Sequence, residues 1–236
     1  MRADGRKNNQ IRSVVIKPNY ILYPEGSTLI EIGNTKVLCN VSIEESIPYW
    51  MQKQGLEGGW ITAEYSLLPR STHQRTPREN SGLSGRTQEI RRLIGRSLRA
   101  CVDLKLLGPR TFIIDCDVLQ ADGGTRTASI TGAYVALAIA IKKLIEKRVL
   151  PADFEITPVA AISAGIVAGE NLLDLTYQED SNADVDINVV MNAKGEFIEI
   201  QSTAEKNPFT YNSFLELIEL TRSGISELLR IQESYF

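Results

Sequence analysis

The apolar pattern is richest between Thr111 and Lys147. Phe112, Ile114, Cys116 and Val118 recur at every second position, the period of a half-buried strand. The pattern breaks at Ala121-Asp-Gly-Gly124. It resumes from about Thr127 to Lys147 as a segment rich in Ala, Leu and Ile, with Lys142, Lys143 and Lys147 at its far end. Cations belong at a helix C-terminus, so the stretch predicts strand, glycine turn, helix.

Upstream, residues 1–7 are polar and predict an exposed arm. Strands are expected at 13–17, 27–32 and 35–43, with Gly33-Asn34 as a hairpin turn. Residues 44–60 lack a period. Residues 61–68 predict another strand, stopped by Pro69, and Pro69 to Ser84 is a long polar loop. Loops of that length in a compact domain are functional or disordered. A helix opens at Gly85, with Ile90, Leu93, Ile94, Leu98, Cys101 and Val102 on one face and Arg92, Arg96, Arg99 and Asp103 on another.

A second strand-rich half begins at Phe154. Residues 161–175 predict strand, turn at Gly169-Glu-Asn171, strand. Asp184, Asp186 and Asn188 alternate with Val185, Ile187 and Val189, which puts the polar three on one face of a strand. Asn192 to Gly195 turns into a strand over 197–201. A loop over 202–208 leads to a helix beginning near Thr210, broken or bent at Gly224, with a frayed tail from Ile231. Strands then helices, twice, predict one compact unit over 1–236 with two related halves, about 1–147 and 148–236, each a small sheet covered by helices.

Composition narrows the chemistry. The 236 residues are 43% hydrophobic, enough for one substantial domain or two small ones sharing a core, and the net charge of −3 does not by itself indicate nucleic acid. No apolar run approaches a membrane span of about 18 residues, and the polar N-terminus lacks a signal-peptide core, so the cytoplasm is the expected compartment. Cys39, Cys101 and Cys116 are few and far apart, as buried small hydrophobes would be. His73 is the sole histidine, which excludes multi-histidine metal sites and, unless His73 is the base, serine and cysteine triads. His73 can stack on a base or sit in solvent. Tyr49, Trp50 and Trp60 can pack or act as stacking platforms.

Charge is segregated. Between Arg70 and Arg99 lie eight arginines against Glu79 and Glu89, a window of +6 that leaves −9 for the rest of the chain. Clustered arginine suits bidentate contacts to phosphate; its alternative is a solvated helix face paired with acids elsewhere. Arg126 sits at the positive end of the predicted helix. With free N–H groups and the hydroxyls of Thr125, Thr127 and Ser129 it can form an oxyanion pocket at Gly124-Thr125-Arg126, or it can be an ordinary salt bridge at a strand-to-helix turn. The Walker A pattern is absent. Asp180 and Asp186 lie in the acidic stretch Glu179 to Asp186. Such a pair can hold Mg²⁺ or protonate a leaving oxygen, or be an exposed acidic turn.

Taken together, Arg2-Ala-Asp-Gly-Arg6, Gly59 to Tyr65, Leu68-Pro-Arg70, Gly85 to Ile90, Leu93 to Arg99, Asp115 to Ala133, Glu179 to Asp186 and Thr203-Ala-Glu205 resemble the ribonuclease PH family of phosphate-dependent exoribonucleases, in the family's order and over nearly the whole chain. The resemblance implies an α/β (α+β) fold of two βαβα-like halves with mixed sheets covered by helices, assembled as a hexameric ring, a trimer of dimers. It implies removal of 3′-terminal nucleotides from precursor tRNA and other structured RNA, with inorganic phosphate as attacking group and nucleoside diphosphates as products, and a reverse nucleotidyltransferase reaction. It matches Arg86, Gly124, Thr125 and Arg126 to the phosphate site, Asp180 and Asp186 to catalytic or Mg²⁺-supporting carboxylates, and Arg70, Arg75 and Arg78 to the loop that contacts the RNA acceptor end. A non-catalytic RNA-binding ring subunit of the same fold is the alternative; a polynucleotide phosphorylase fragment is disfavoured because no second core copy or appended RNA-binding module is present. Two departures stand out. Ala3 replaces the family's usual proline, which suggests a looser arm. Ser202-Thr-Ala-Glu-Lys206 lacks both glycines of the family's late loop and adds a cation. With the phosphate and aspartate positions intact, activity is expected to be retained.

Overall fold

A computed structural model describes residues 2–80 and 82–235. Among these described residues, nine strands form two sheets. The first contains β1 (Val14–Pro18), β2 (Gly26–Ile32), β3 (Thr35–Glu44), β4 (Trp60–Leu67) and β5 (Thr111–Gln120), in the order β1-β2-β3-β5-β4. It is mixed, because β4 runs parallel to β5 while the other pairs are antiparallel. The second contains β6 (Val159–Val167), β7 (Glu170–Leu173), β8 (Val185–Asn192) and β9 (Phe197–Ala204), in the order β7-β6-β8-β9 and antiparallel throughout.

Five α-helices among the described residues accompany the sheets: α1 (Tyr49–Lys53), α2 (Gly85–Arg99), α3 (Thr125–Glu146), α4 (Tyr177–Asp180) and α5 (Tyr211–Glu233). The alternation in β5 appears as expected: Phe112, Ile114, Cys116 and Val118 are all fully buried. α3 lies between the sheets and packs against β2, β3 and β6. One apolar cluster therefore joins Ile30 and Val37 of the first sheet, Leu137 of α3, and Val159 and Val190 of the second.

Several expectations are corrected. α3 is long and apolar enough to cross a membrane by length and composition, but 78% of its apolar window is buried inside the protein, so it is a core helix. The N-terminal segment is exposed at residues 3–5 and at Lys7, as expected, but it is not loose. Arg2 is buried, with Nε and Nη2 donating to the Glu179 carboxylate at 2.8 and 2.6 Å and Nη1 to the Leu173 carbonyl at 2.8 Å. Met1 lies outside the described residues. Residues 44–60 hold the short helix α1. β9 continues through residues 202–204, where a loop was expected, because they pair with Val185–Ile187.

Gly224 does not break α5. It lets the helix lie close to the second sheet, since a Cβ there would meet Ile162 Cδ1 at 2.7 Å and Leu173 Cδ2 at 3.0 Å. The C-terminal end does not fray at Ile231, because Gln232 is buried and its Nε2 donates to the carbonyls of Thr131 and Val159 at 3.0 Å each. Phe236 lies outside the described residues.

Candidate active site

The site forms where β5 turns into α3. Gly123 and Gly124 take left-handed backbone angles, φ 75° and 62°, which side chains with a Cβ resist. A Cβ on Gly123 would collide with the Leu175 carbonyl and lie 2.8 Å from Tyr177 N, so only glycine lets this elbow touch the chain ahead of α4. The N-cap of α3 is Gly124, which has no side chain to cap the helix. Its first turn presents Thr125 and Arg126 to a cleft of about 630 Å³.

That cleft is also lined by Arg86, Asp180 and Asp186. Arg86 comes from the first turn of α2, which Ser84 caps by accepting Thr87 N–H at 3.1 Å. Asp180 ends α4, whose capping box is built by Thr176 and Glu179; Glu179 also receives Arg2. Asp186 is the second residue of β8. The acidic stretch is thus divided between a helix end and a strand, which turn two of its carboxylates toward the arginines.

The electrostatics of the walls differ. Burial raises the Asp180 carboxyl, with Glu205 adding to it and Arg126 and Arg86 opposing. Asp186 is raised by burial, by Asp180 and by Glu205, against Arg126. Asp186 Oδ1 is buried without a hydrogen-bond partner among the described residues. A buried acceptor in that state costs free energy until a proton or cation reaches it. Asp186→Asn is therefore expected to raise stability at pH 8 by about 1 kcal/mol without divalent cations. A carboxyl raised in the fold costs nothing while protonated in both states, and costs fully once pH exceeds its folded value. The gain should therefore shrink toward zero near pH 4, close to the unfolded value. Denaturation curves across that range check it; a gain independent of pH would remove the carboxylate as its cause.

Arg126 satisfies part of each alternative. Its Nη1 lies 3.4 Å from Glu89 Oε1 and donates to Gln201 Oε1 at 3.1 Å, while the residue lines the cleft. The Glu89 side chain is half exposed, so that pair is weak. The hydroxyls divide differently from expectation. Thr125 Oγ1 lies 2.8 Å from the Tyr65 hydroxyl at the cleft wall. Thr127 Oγ1 donates to the Gly124 carbonyl and Ser129 Oγ to the Thr125 carbonyl, and both residues are buried, so neither hydroxyl joins the pocket.

Arg70, Arg75 and Arg78 are exposed and do not line the cleft. Their loop starts at its rim: Thr72 lines it, and Ala121 N, just before the elbow, donates to the Ser71 carbonyl at 2.8 Å. Of the other arginines in the +6 window, Arg91 pairs with Glu64, Arg96 with Glu199, and Arg99 stacks on Trp60 at 4.5 Å. Arg70, Arg75, Arg78, Arg86 and Arg92 have no ion pair among the described residues. The cationic cluster thus separates into a structural set and a free set. His73 is exposed, with its ring 6.2 Å from that of Tyr177.

Tyr65, Tyr177, Glu205 and Lys206 line the cleft without having been assigned to it. Tyr65 occupies a core-facing strand position, so its hydroxyl is masked by the apolar period. Lys206 is turned to Asp184, 3.4 Å away, and donates to the Asn182 carbonyl.

Comparison with known proteins gives the family. The profile of the 3′ exoribonuclease family, domain 1, matches residues 10–143, and that of domain 2 matches residues 157–224. The chain belongs to the 3′ exoribonuclease (RNase PH) family. Within the family, Ribonuclease PH from Solibacter usitatus (strain Ellin6076) is 54% identical over 235 residues, 99% of this chain and 98% of the relative. Among solved structures, rice (Oryza sativa) Rrp46 superposes with a TM-score of 0.79 at 19% identity over 99% of both chains. A chain of the Archaeoglobus fulgidus exosome with RNA bound to the active site gives 0.78 at 22% identity, covering 100% of this chain and 92% of that one. At these identities the likeness is one of fold.

Proposed function

We propose that this protein is a phosphorolytic 3′-to-5′ exoribonuclease that trims the 3′ ends of precursor tRNA and other structured RNA, and that the cleft beside the glycine elbow is its active site. One observation carries the reading: Arg86 and the Gly124–Arg126 turn line the same cleft as Asp180 and Asp186. Family membership and the 54% identity to a Ribonuclease PH over 99% of the chain support it.

The chemistry follows from the charges. Orthophosphate is the co-substrate, and its attack on a phosphodiester brings two anions together. Arg86, Arg126 and the N–H groups opening α3 offset that repulsion and align the nucleophile. A phosphate oxygen bonds to the terminal phosphorus and the bond to the ribose 3′-oxygen breaks. The products are a nucleoside diphosphate and an RNA shortened by one residue. The departing 3′-oxygen takes a proton, and a carboxyl raised by burial, as Asp180 and Asp186 are, keeps one nearer neutral pH. Every step reverses, so nucleotidyl transfer from a nucleoside diphosphate uses the same groups.

In place of a shared proton, Mg²⁺ also fits this donor set when the pair is ionised: the orphaned Asp186 Oδ1, in the same cleft as Asp180, gives the two carboxylates that such an ion takes alongside substrate phosphates and water. Bound there, it would neutralise charge on the phosphoryl oxygens. RNA is the macromolecular partner, with Arg70, Arg75 and Arg78 gripping its backbone near the 3′ end. We take residues 1–236 as one unit whose two halves share α3, assembled with identical copies into a hexameric ring, a trimer of dimers, in the cytoplasm.

The deciding assay supplies an RNA with a free 3′ hydroxyl, with and without orthophosphate. Nucleoside diphosphates should appear only with phosphate. RNA binding without any release would identify a non-catalytic ring subunit instead. Size measurement in the same buffer should give six copies, and a smaller species would set the ring aside. For the loop, Arg75→Ala should weaken RNA binding and reduce the slope of log affinity against log salt by about 1. Equal slopes in mutant and parent would remove Arg75 from the RNA contact.

A further inference from the structure

Arg12 belongs to no part of the site described above, yet it is buried, and its partners come from both walls. Its Nε and Nη2 grip the Asp174 carboxylate at 2.9 and 2.6 Å, and its backbone N–H donates to the same carboxylate at 2.8 Å. Its Nη1 donates to the Asp122 carbonyl at 2.5 Å. Asp122 precedes the elbow that carries Thr125 and Arg126, whereas Asp174 precedes α4, which carries Asp180. The Asp122 carboxylate accepts Tyr177 N–H at 3.2 Å, and Thr35 Oγ1 holds the Gly123 carbonyl at 2.6 Å.

Asp174 is an unusual anchor. It is buried and takes a left-handed backbone, φ 54°, which a residue other than glycine adopts at a cost. Its carbonyl accepts Arg2 Nη2 at 3.0 Å and Arg6 Nη2 at 3.1 Å, and its carboxylate lies 3.5 Å from Arg6 Nη1. Burying a charge pair is expensive and adds little net stability, though breaking one side is severe. A pair so placed fixes geometry. Its fork-to-carboxylate contact sets distance and angle together, which a single point charge does not.

We propose that Arg12 and Asp174 are positioning residues for phosphorolysis: their ion pair sets the separation between the cationic elbow and the carboxylates facing it. This rests on the phosphorolytic reading above. The pair touches neither substrate in that reading and acts through Asp122 on one side and α4 on the other.

The test uses the full-length protein with Arg12→Lys and Asp174→Asn. Lysine keeps the charge and loses the fork. Asparagine tolerates the left-handed backbone and loses the charge. Each variant is expected to lower kcat at saturating phosphate and RNA by about 10- to 100-fold per folded molecule, the loss a displacement of roughly 1 Å brings. KM for phosphate should rise, while RNA affinity measured without phosphate stays within about twofold of the parent. A purely structural role would lower the melting temperature and leave kcat and KM per folded molecule unchanged, which would overturn the proposal. Failure of both variants to fold would overturn it as well, assigning the pair to stability. If the parent itself releases no nucleoside diphosphate, the phosphorolytic reading fails first; an active parent with unchanged variants sinks this inference alone.

Discussion

Arg126→Ala is expected to lower kcat/KM for phosphate by about 100- to 1000-fold, with RNA affinity changed less than about threefold. The magnitude is that of removing one preorganised charge aimed at a developing anion. Arg126 sits in the first turn of α3, where the helix dipole disfavours a cation unless an anion comes to it. Its protein partners are Gln201, which is neutral, and Glu89, which is half exposed, so much of its charge is left for a bound phosphate. Arg86 is exposed, without an ion pair among the described residues, and lines the same cleft, so the variant keeps one cation and some residual rate. Initial rates over a phosphate titration, beside RNA binding in phosphate-free buffer, check the split. An unchanged rate at saturating phosphate with an unchanged KM would discard Arg126 from the site.

Asp180→Asn is expected to slow turnover by about 100- to 10,000-fold while leaving KM for phosphate within a few-fold. Proton transfer to a leaving oxygen by a positioned group is worth that much. Asp180 is the last residue of α4, and the helix is held from elsewhere: Glu179 closes its capping box and receives Arg2. Loss of the Asp180 charge therefore should not disturb the fold: circular dichroism should match the parent, and melting should be no lower, since burial already disfavours the ionised carboxylate. Burial raises Glu179, but hydrogen bonds from Arg2 and from Thr176 N–H outweigh it and hold that carboxyl low, so the neighbouring acids are tuned in opposite directions. A folded Asp180→Asn variant with full turnover would remove Asp180 from the mechanism and leave Asp186 as the proton donor.

The elements were legible because their signals are local. The two-residue period of β5, the paired glycines and the long apolar run of α3 each lie within a few residues of one another. The residue types of the site stood out for the same reason: arginines at helix starts and aspartates in a short acidic stretch differ from the apolar background. Which of them face each other did not follow from spacing. Arg2 meets Glu179 across 177 positions and Arg12 meets Asp174 across 162, and nothing near either residue in the chain announces its partner. Docking two sheets against α3 creates those encounters, buries Arg2 and Arg12 while the residues between them stay mostly exposed, and turns the Thr127 and Ser129 hydroxyls back onto their own helix. Local periodicity determined what the pieces are. Burial and long-range ion pairs, which exist only after the sheets meet, decided which charges confront the cleft and at what separation.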